Sequence, residues 1–330
     1  MAITIKEIAK VCGVSEGTVD RAIHNRFGIS DKTRARVLET IKELNYRPNQ
    51  LAQSLATGTT KTIGIICFDL ENNYFAVLVD IIEGIAKEKG YFINLILTHG
   101  DSKKEIEGIS YLSERQVDGL IIFSVCSGEE YISYIKDLNI PIVTIYNRIS
   151  PDFTFVAVDA KQAMRDAVHY ISGKGYERII FLNARVTQKM NRNNNVYTLT
   201  ERQNGYLEGI SEQQLHAPIV IEGLDQERIL QTIRECKPYK TAVLCISDMY
   251  ALAVLELCKK YGIRVPEELG IMGYDNMDML KYIHPRICSV GYEPRMIGER
   301  VFDILYDMMI NHNKSEDCIL DYCFSEGDSL

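Results

Sequence analysis

A chain of 330 residues, 46% hydrophobic and 25% charged, carries enough apolar material for two or three cored domains, which excludes disordered and fibrous classes. Its net charge of −8 is unevenly spread: residues 1–61 hold ten Lys and Arg against six Asp and Glu, and the remainder 27 against 39. A basic head can approach a polyanion that the acidic remainder repels, so nucleic acid is expected to meet the head alone. No apolar run reaches the roughly 18 residues of a membrane span and no signal-peptide pattern opens the chain, so the cytoplasm is the expected compartment.

Thr4 followed by Glu7 forms a capping box that opens a first helix through Val11. Gly13 then supplies a turn, and Ser15 caps a second helix from Glu16 to about His24, whose Val19, Ala22 and Ile23 can face Ile8 and Ala9. Ser30 caps a third helix, Asp31 to Asn45, with Val37, Leu38, Ile41 and Leu44 on its inner face. This predicts an all-α helix-turn-helix head over residues 1–46. Pro48 and Asn49 start a further short helix that Gly58 ends, with Leu51 and Leu55 four apart on one face. Helices below roughly 12–15 residues are marginal alone, so this hinge, 47–60, is expected to order only when held.

From Lys61 buried strands of parallel type alternate with amphipathic helices. Strands are predicted at 63–68, 92–98, 119–124 and 142–146, then at 178–183, 219–222, 242–246 and 269–274, with helices between them, among them one from Glu201 to Gln213. The pattern predicts an α/β core, 61–330, of two doubly wound parallel-sheet halves, with ligand beyond the carboxyl ends of the strands. Nucleotide-binding and hydrolase fingerprints are missing: there is no Gly-x-Gly-x-x-Gly turn, phosphate loop, Gly-x-Ser-x-Gly elbow or His-Glu-x-x-His helix. An enzyme is not expected. Nine cysteines, an odd set without a Cys-x-x-Cys pair, fit free thiols in a reducing compartment, and no ligand spacing supports zinc, so neither metal nor cofactor is expected.

The run Thr4 to Lys10, then Gly13-Val14-Ser15, Gly17-Thr18-Val19, Arg21, Thr33-Arg34, Arg36-Val37 and Tyr46-Arg47-Pro48-Asn49 resembles the head of the lactose-repressor (LacI) family of transcription regulators, and the resemblance covers nearly the whole chain. It implies a repressor that reads pseudo-palindromic double-stranded operator DNA as a homodimer, with a tetramer as the alternative assembly. The second helix would enter the major groove: Glu16, Gly17 and Arg21 stand at base-contacting positions, where Arg21 can pair with guanine and Glu16 can accept from cytosine. Gly17 marks either close backbone approach or no contact. Thr4, Ser15, Thr18, Asn25 and Tyr46 would serve phosphates. Asn49, Ala52 and Leu55 would meet the minor groove, with Leu55 a wedge between base steps. Asp20 stands where the family usually has Ser, and Arg21 or Lys10 could neutralise it.

The same resemblance implies a core like periplasmic sugar-binding proteins, its first subdomain about 61–160 and 293–318 and its second about 161–292 and 319–330. A sugar or sugar derivative would lie between them, held by Asn73, Tyr74, Phe75, Asn147, Arg148, Asp159, Arg202 of an Arg-x-x-Gly-Tyr motif, Asp248, Asp275 and Tyr292. Aromatic faces, carboxylates and an Arg suit a polyol. Capping roles for Asp248 and Asp159 and a core role for Tyr74 compete. Ser247 and Tyr292 depart from the family's usual Asn and Gln, and an Asn-rich stretch, 185–200, is longer than usual and lies where it can reshape the pocket mouth. A solute-binding protein without a DNA role is the rival reading; it calls for a signal peptide and no basic head.

Overall fold

The computed structural model describes residues 3–46, 54, 58–190, 194–312 and 315–330. The expected hinge helix, with Asn49, Ala52 and Leu55, lies outside the described residues, as do Asn191 and Asn193. The chain divides into two units, residues 1–60 and 61–330.

In the smaller unit α1 (Ile5–Cys12) starts on a reciprocal cap: the Thr4 hydroxyl accepts from the Glu7 amide at 3.3 Å and Glu7 Oε2 accepts from the Thr4 amide at 2.7 Å. Gly13, at φ +58°, turns the chain into α2 (Glu16–Ile23), capped by Ser15, and Ser30 caps α3 (Asp31–Glu43). Ile8, Ala9, Cys12, Val19, Ala22 and Val37 form the small core, with Ile41 and Leu44 against it. Leu38, expected inside, is 43% exposed, because Val37 and its helical neighbours at 40, 41 and 44 already define the inner stripe.

The larger unit contains two sheets of six strands. The first joins β1 (Thr62–Cys67), β2 (Phe92–Leu97), β3 (Gly119–Ile122), β4 (Ile142–Ile145), β5 (Thr154–Val158) and β11 (Cys318–Leu320), in the order β2-β1-β3-β4-β5-β11, all parallel. The second joins β6 (Arg178–Asn183), β7 (Ile219–Glu222), β8 (Thr241–Cys245), β9 (Gly270–Asp275), β10 (Cys288–Gly291) and β12 (Cys323–Ser325), in the order β7-β6-β8-β9-β10-β12, with only β12 antiparallel. Helices α4 (Asn73–Glu88), α5 (Ser102–Glu114), α6 (Glu129–Asp137) and α12 (Pro294–Asn311) accompany the first sheet; α7 (Ala160–Gly173), α8 (Val186–Met190), α9 (Tyr197–Glu212), α10 (Gln226–Glu235) and α11 (Asp248–Tyr261) accompany the second. Central strands are buried along their length, as parallel strands between helical layers must be.

The sequence pattern showed four strands in each half; the structure adds an inner fifth strand to each, β5 and β10, and an outer sixth, β11 and β12. Three-residue strands are too short for any periodic signal. The chain crosses between sheets after β5, after β10 and after β11. The last crossing falls at Asp321–Tyr322, because Cys318–Leu320 pair with Val156–Val158. Helix α9 begins at Tyr197, four residues before the expected Glu201.

Candidate functional site

Arg202 owes its place to two glycines one and two turns further along α9. A Cβ on Gly205 would stand 2.0 Å from the Lys161 carbonyl oxygen, and one on Gly209 would stand 2.7 Å from Val168 Cβ, so α9 can lie against α7 only with glycine at both. Tyr206, fully buried, fixes the same helix by donating to the Ile179 carbonyl at 2.8 Å and accepting from the Ile219 amide at 2.8 Å. Thus held, Arg202 is 7% exposed, donates from Nη1 to the Ile246 carbonyl at 2.5 Å and lies 3.5 Å from the centre of the Tyr274 ring. Its Nη2 is 3.8 Å from Asp275 Oδ1, and its Nε has no acceptor.

Asp275 ends β9 at φ +106°, followed by Asn276 at φ +50°, and Tyr146 follows β4 at φ +62°. Non-glycine residues held in this region cost of order 1–3 kcal/mol each and cluster at functional sites. The Asp275 carboxylate accepts from the Tyr292 hydroxyl at 2.9 Å and is pushed up to about 6 by burial, against the opposing pull of Arg202, Tyr292 and the Asn72 amide. Around it the rings of Tyr74, Tyr146 and Tyr292 meet at centroid distances of 5.1, 5.9 and 6.4 Å. The Tyr74 and Tyr146 hydroxyls approach each other and Tyr292, yet neither completes a well-formed hydrogen bond. A cavity of about 210 Å³ opens beside this group, lined by Tyr146, Asp159, Thr198, Glu201, Arg202 and Tyr292 among others.

Of the residues singled out from the sequence, the structure therefore brings together Tyr74, Arg202, Asp275 and Tyr292, with Asp159 on the cavity wall and Phe75 packed on Tyr74 and Phe123. Asp159 also caps α7, accepting from the Gln162 amide at 2.9 Å. Arg148 Nη2 is 2.5 Å from Asp317 Oδ2, beside the start of β11, and its guanidinium stands 5.7 Å from the ring of Phe155 on the cavity wall. Asn147 links the two halves, donating to the Ser124 carbonyl at 2.8 Å and accepting from the Thr198 amide at 3.2 Å. Asp248 is fully buried beneath the site, where it accepts from the Met277 amide at 2.7 Å and the Ser289 hydroxyl at 2.6 Å. Burial, then the neighbouring Asp275, push it up to about 8. Asn73 only opens α4; the capping side chain is Asn72. In the Asn-rich stretch, Asn195 donates from its side chain to the Arg148 carbonyl at 3.0 Å and from its backbone to the Val125 carbonyl at 2.6 Å.

Tyr146, Tyr274, Thr198, Glu201 and Asn72 were not anticipated. Thr198, Glu201, Arg202 and Gly205 fall on one helical face, a signal hidden by placing the start of α9 four residues late.

In the head, Glu16, Gly17 and Arg21 are exposed on α2. A Cβ on Gly17 would meet nothing nearer than 3.9 Å, so nothing within the described head requires glycine there. Asp20 pairs with Arg26 at 3.0 Å and has His24 Nδ1 at 3.0 Å, in place of Arg21 or Lys10. Arg34 reaches from α3 to the carbonyls of Arg21, at 3.1 Å, and Arg26, at 2.7 Å, and so fixes the C-terminal end of α2 with a positive charge. The hydroxyls of Thr4, Ser15 and Thr18 are engaged in capping, Asn25 turns the chain at φ +52°, and Tyr46 is half-buried against the small core.

Residues 4–49 match the profile of bacterial regulatory proteins of the lacI family, and residues 168–330 match a periplasmic binding protein-like domain. The chain is also 31% identical over 327 residues to the HTH-type transcriptional repressor PurR of Proteus mirabilis strain HI4320, with 95% of this chain and 92% of that protein covered. The chain belongs to the lacI family. Its fold matches the lac repressor dimer bound to operator and the anti-inducer ONPF at a TM-score of 0.85 and 20% identity, covering 100% of this chain and 99% of that one. It matches the complex of the transcriptional regulator CelR with cellobiose at 0.69 and 22%, covering 99% and 100%. As a lacI-family protein it is a transcriptional repressor with a DNA-binding head and an effector-binding domain. Among the described residues no helix is long and apolar enough to cross a membrane, and no cluster of His, Cys, Asp and Glu is placed to hold a metal ion.

Proposed function

We propose that this repressor binds a pseudo-palindromic operator as a homodimer, reading bases through Glu16, Gly17 and Arg21, and that a small carbohydrate-like effector at Arg202, Asp275 and Tyr292 controls it. Thr4, Ser15, Thr18, Asn25 and Tyr46 would serve phosphates, and Asn49, Ala52 and Leu55 of the hinge would enter the minor groove. The protein acts in the cytoplasm and without catalysis. The observation that carries the reading is the buried Arg202 beside Asp275 at the strand ends, on the wall of a cavity with aromatic and carboxylate faces. Cellobiose in the CelR complex supports a carbohydrate.

The DNA half is tested by selecting duplexes from a random pool with full-length protein. A symmetric site should emerge, and Arg21→Ala should relax the base preference at one position in each half-site, a loss of about 1–3 kcal/mol in discrimination. A pool without symmetric enrichment, or the same preference in the variant, overturns the proposed reader.

A further inference from the structure

Three polar groups in and beside the cavity, the Arg202 Nε and the hydroxyls of Tyr74 and Tyr146, lack a hydrogen-bond partner. Arg202 is 7% exposed, lines the cavity and leaves its Nε hydrogen unmet. In a planar guanidinium the Nε–H and one Nη2–H point to the same side, spaced for the two oxygens of one carboxylate. Here Nη2 lies 3.8 Å from Asp275 Oδ1. The hydroxyls of Tyr74 and Tyr146, residues 4% and 8% exposed, are also without a completed bond. Asp275 faces this set and already takes the Tyr292 hydroxyl. Asp159 and Glu201, both carboxylates, line the same cavity.

We propose that the effector is a polyhydroxy carboxylic acid, of the uronate or aldonate class, whose carboxylate is taken by Arg202 with the Tyr146 hydroxyl and whose hydroxyls donate to Asp159 and Glu201. The inference rests on the reading of this cavity as the effector site. A phosphate ester fits less well. Its second charge would face Asp275, Asp159 and Glu201, and the other cavity-lining cation, Lys161, is already held by Glu208 at 2.5 Å.

The test is calorimetric titration of the full-length protein with a panel of uronates and aldonates, each against its neutral sugar or alditol, and with the corresponding sugar phosphates. At least one acid should bind tenfold or more tighter than its neutral partner, Arg202→Gln should abolish that preference, and Tyr146→Phe should reduce it several-fold. No binding by any acid, or a phosphate that binds tighter than the acid, overturns the proposal. A neutral sugar that binds as well as its acid and depends on Arg202 also overturns it, while leaving the cavity as the effector site. An acid that binds wild type, Arg202→Gln and Asp275→Asn alike overturns the reading of the cavity itself. Should Arg202→Gln fail to give a cooperative melt, Tyr146→Phe decides.

Discussion

Each half of the core buries a carboxylate near its strand ends, and the two are treated in opposite ways. In the first half Glu105, on α5 and fully buried, accepts from the Ser124 hydroxyl at 2.9 Å, the Val125 amide at 2.5 Å, the Cys126 amide at 3.4 Å and the Tyr131 hydroxyl at 2.5 Å. In the second half Asp275 has Tyr292, the Asn72 amide and a distant Arg202, beside hydroxyls that lack completed bonds. Burial raises both carboxyls above their ordinary range. Burial alone therefore does not separate structure from function; the number of donors already in place does. Glu105 pins the loop after β3, whereas the Asp275 group leaves hydrogen-bonding capacity unused.

Truncating Glu105 should produce the largest loss. Glu105→Ala strands three buried donors at once, the Val125 and Cys126 amides and the Tyr131 hydroxyl, while the Ser124 hydroxyl keeps the Cys126 carbonyl at 3.0 Å; with roughly 1–3 kcal/mol for each unmet group the net loss should reach about 3–5 kcal/mol. Thermal melts of the full-length protein check this; a loss below about 1 kcal/mol would erase the distinction between the two acids.

The same conservative change made in each cluster sharpens the contrast. Tyr131→Phe removes a hydroxyl that donates to a buried carboxyl and should cost about 1.5–3 kcal/mol, whereas Tyr146→Phe removes an unmet hydroxyl and should change stability by less than about 0.5 kcal/mol. Urea unfolding of both variants gives the comparison directly. Equal losses would mean that the Tyr146 hydroxyl is satisfied after all.

The mildest effect is read as a slope with pH. Asp275 titrates near about 6 in the folded chain and near about 4 when unfolded, so the folded state holds a proton that the unfolded state has released. Its contribution is fully present below about pH 4 and is lost as pH rises through about 6. Asp275→Asn should therefore gain on the wild type between about pH 4.5 and 7.5 in urea midpoints. A constant gap over that range would show that Asp275 does not titrate there.

What the sequence revealed follows the range of the interactions involved. The head was readable because Thr4 with Glu7, Ser15 and Ser30 act on amides within three residues of themselves. The inner strands were readable because a strand buried on both faces is a continuous apolar run. Asp275 stood out as a charge at the edge of such a run, and Arg202 as the first residue of its Arg-x-x-Gly-Tyr motif. Tyr146 and Tyr274 did not, since a tyrosine that ends an apolar strand looks like core until the opposite half is brought to it. The Arg148–Asp317 pair was hidden for the same reason: nothing near Arg148 in the chain names Asp317, and nothing near Asp248 announces that Met277 and Ser289 will use it.

The outer strands carry a consequence for how the molecule is made. Each sheet is completed by a strand from the last part of the chain, β11 for the first and β12 for the second. During synthesis the first sheet therefore waits, with the Val156–Val158 edge bare, until strands β6 to β10 of the second have been made and residues 318–320 have left the ribosome. A nascent chain stalled after α12 would present two uncapped sheet edges at once, which makes that interval the one in which chaperone protection matters most.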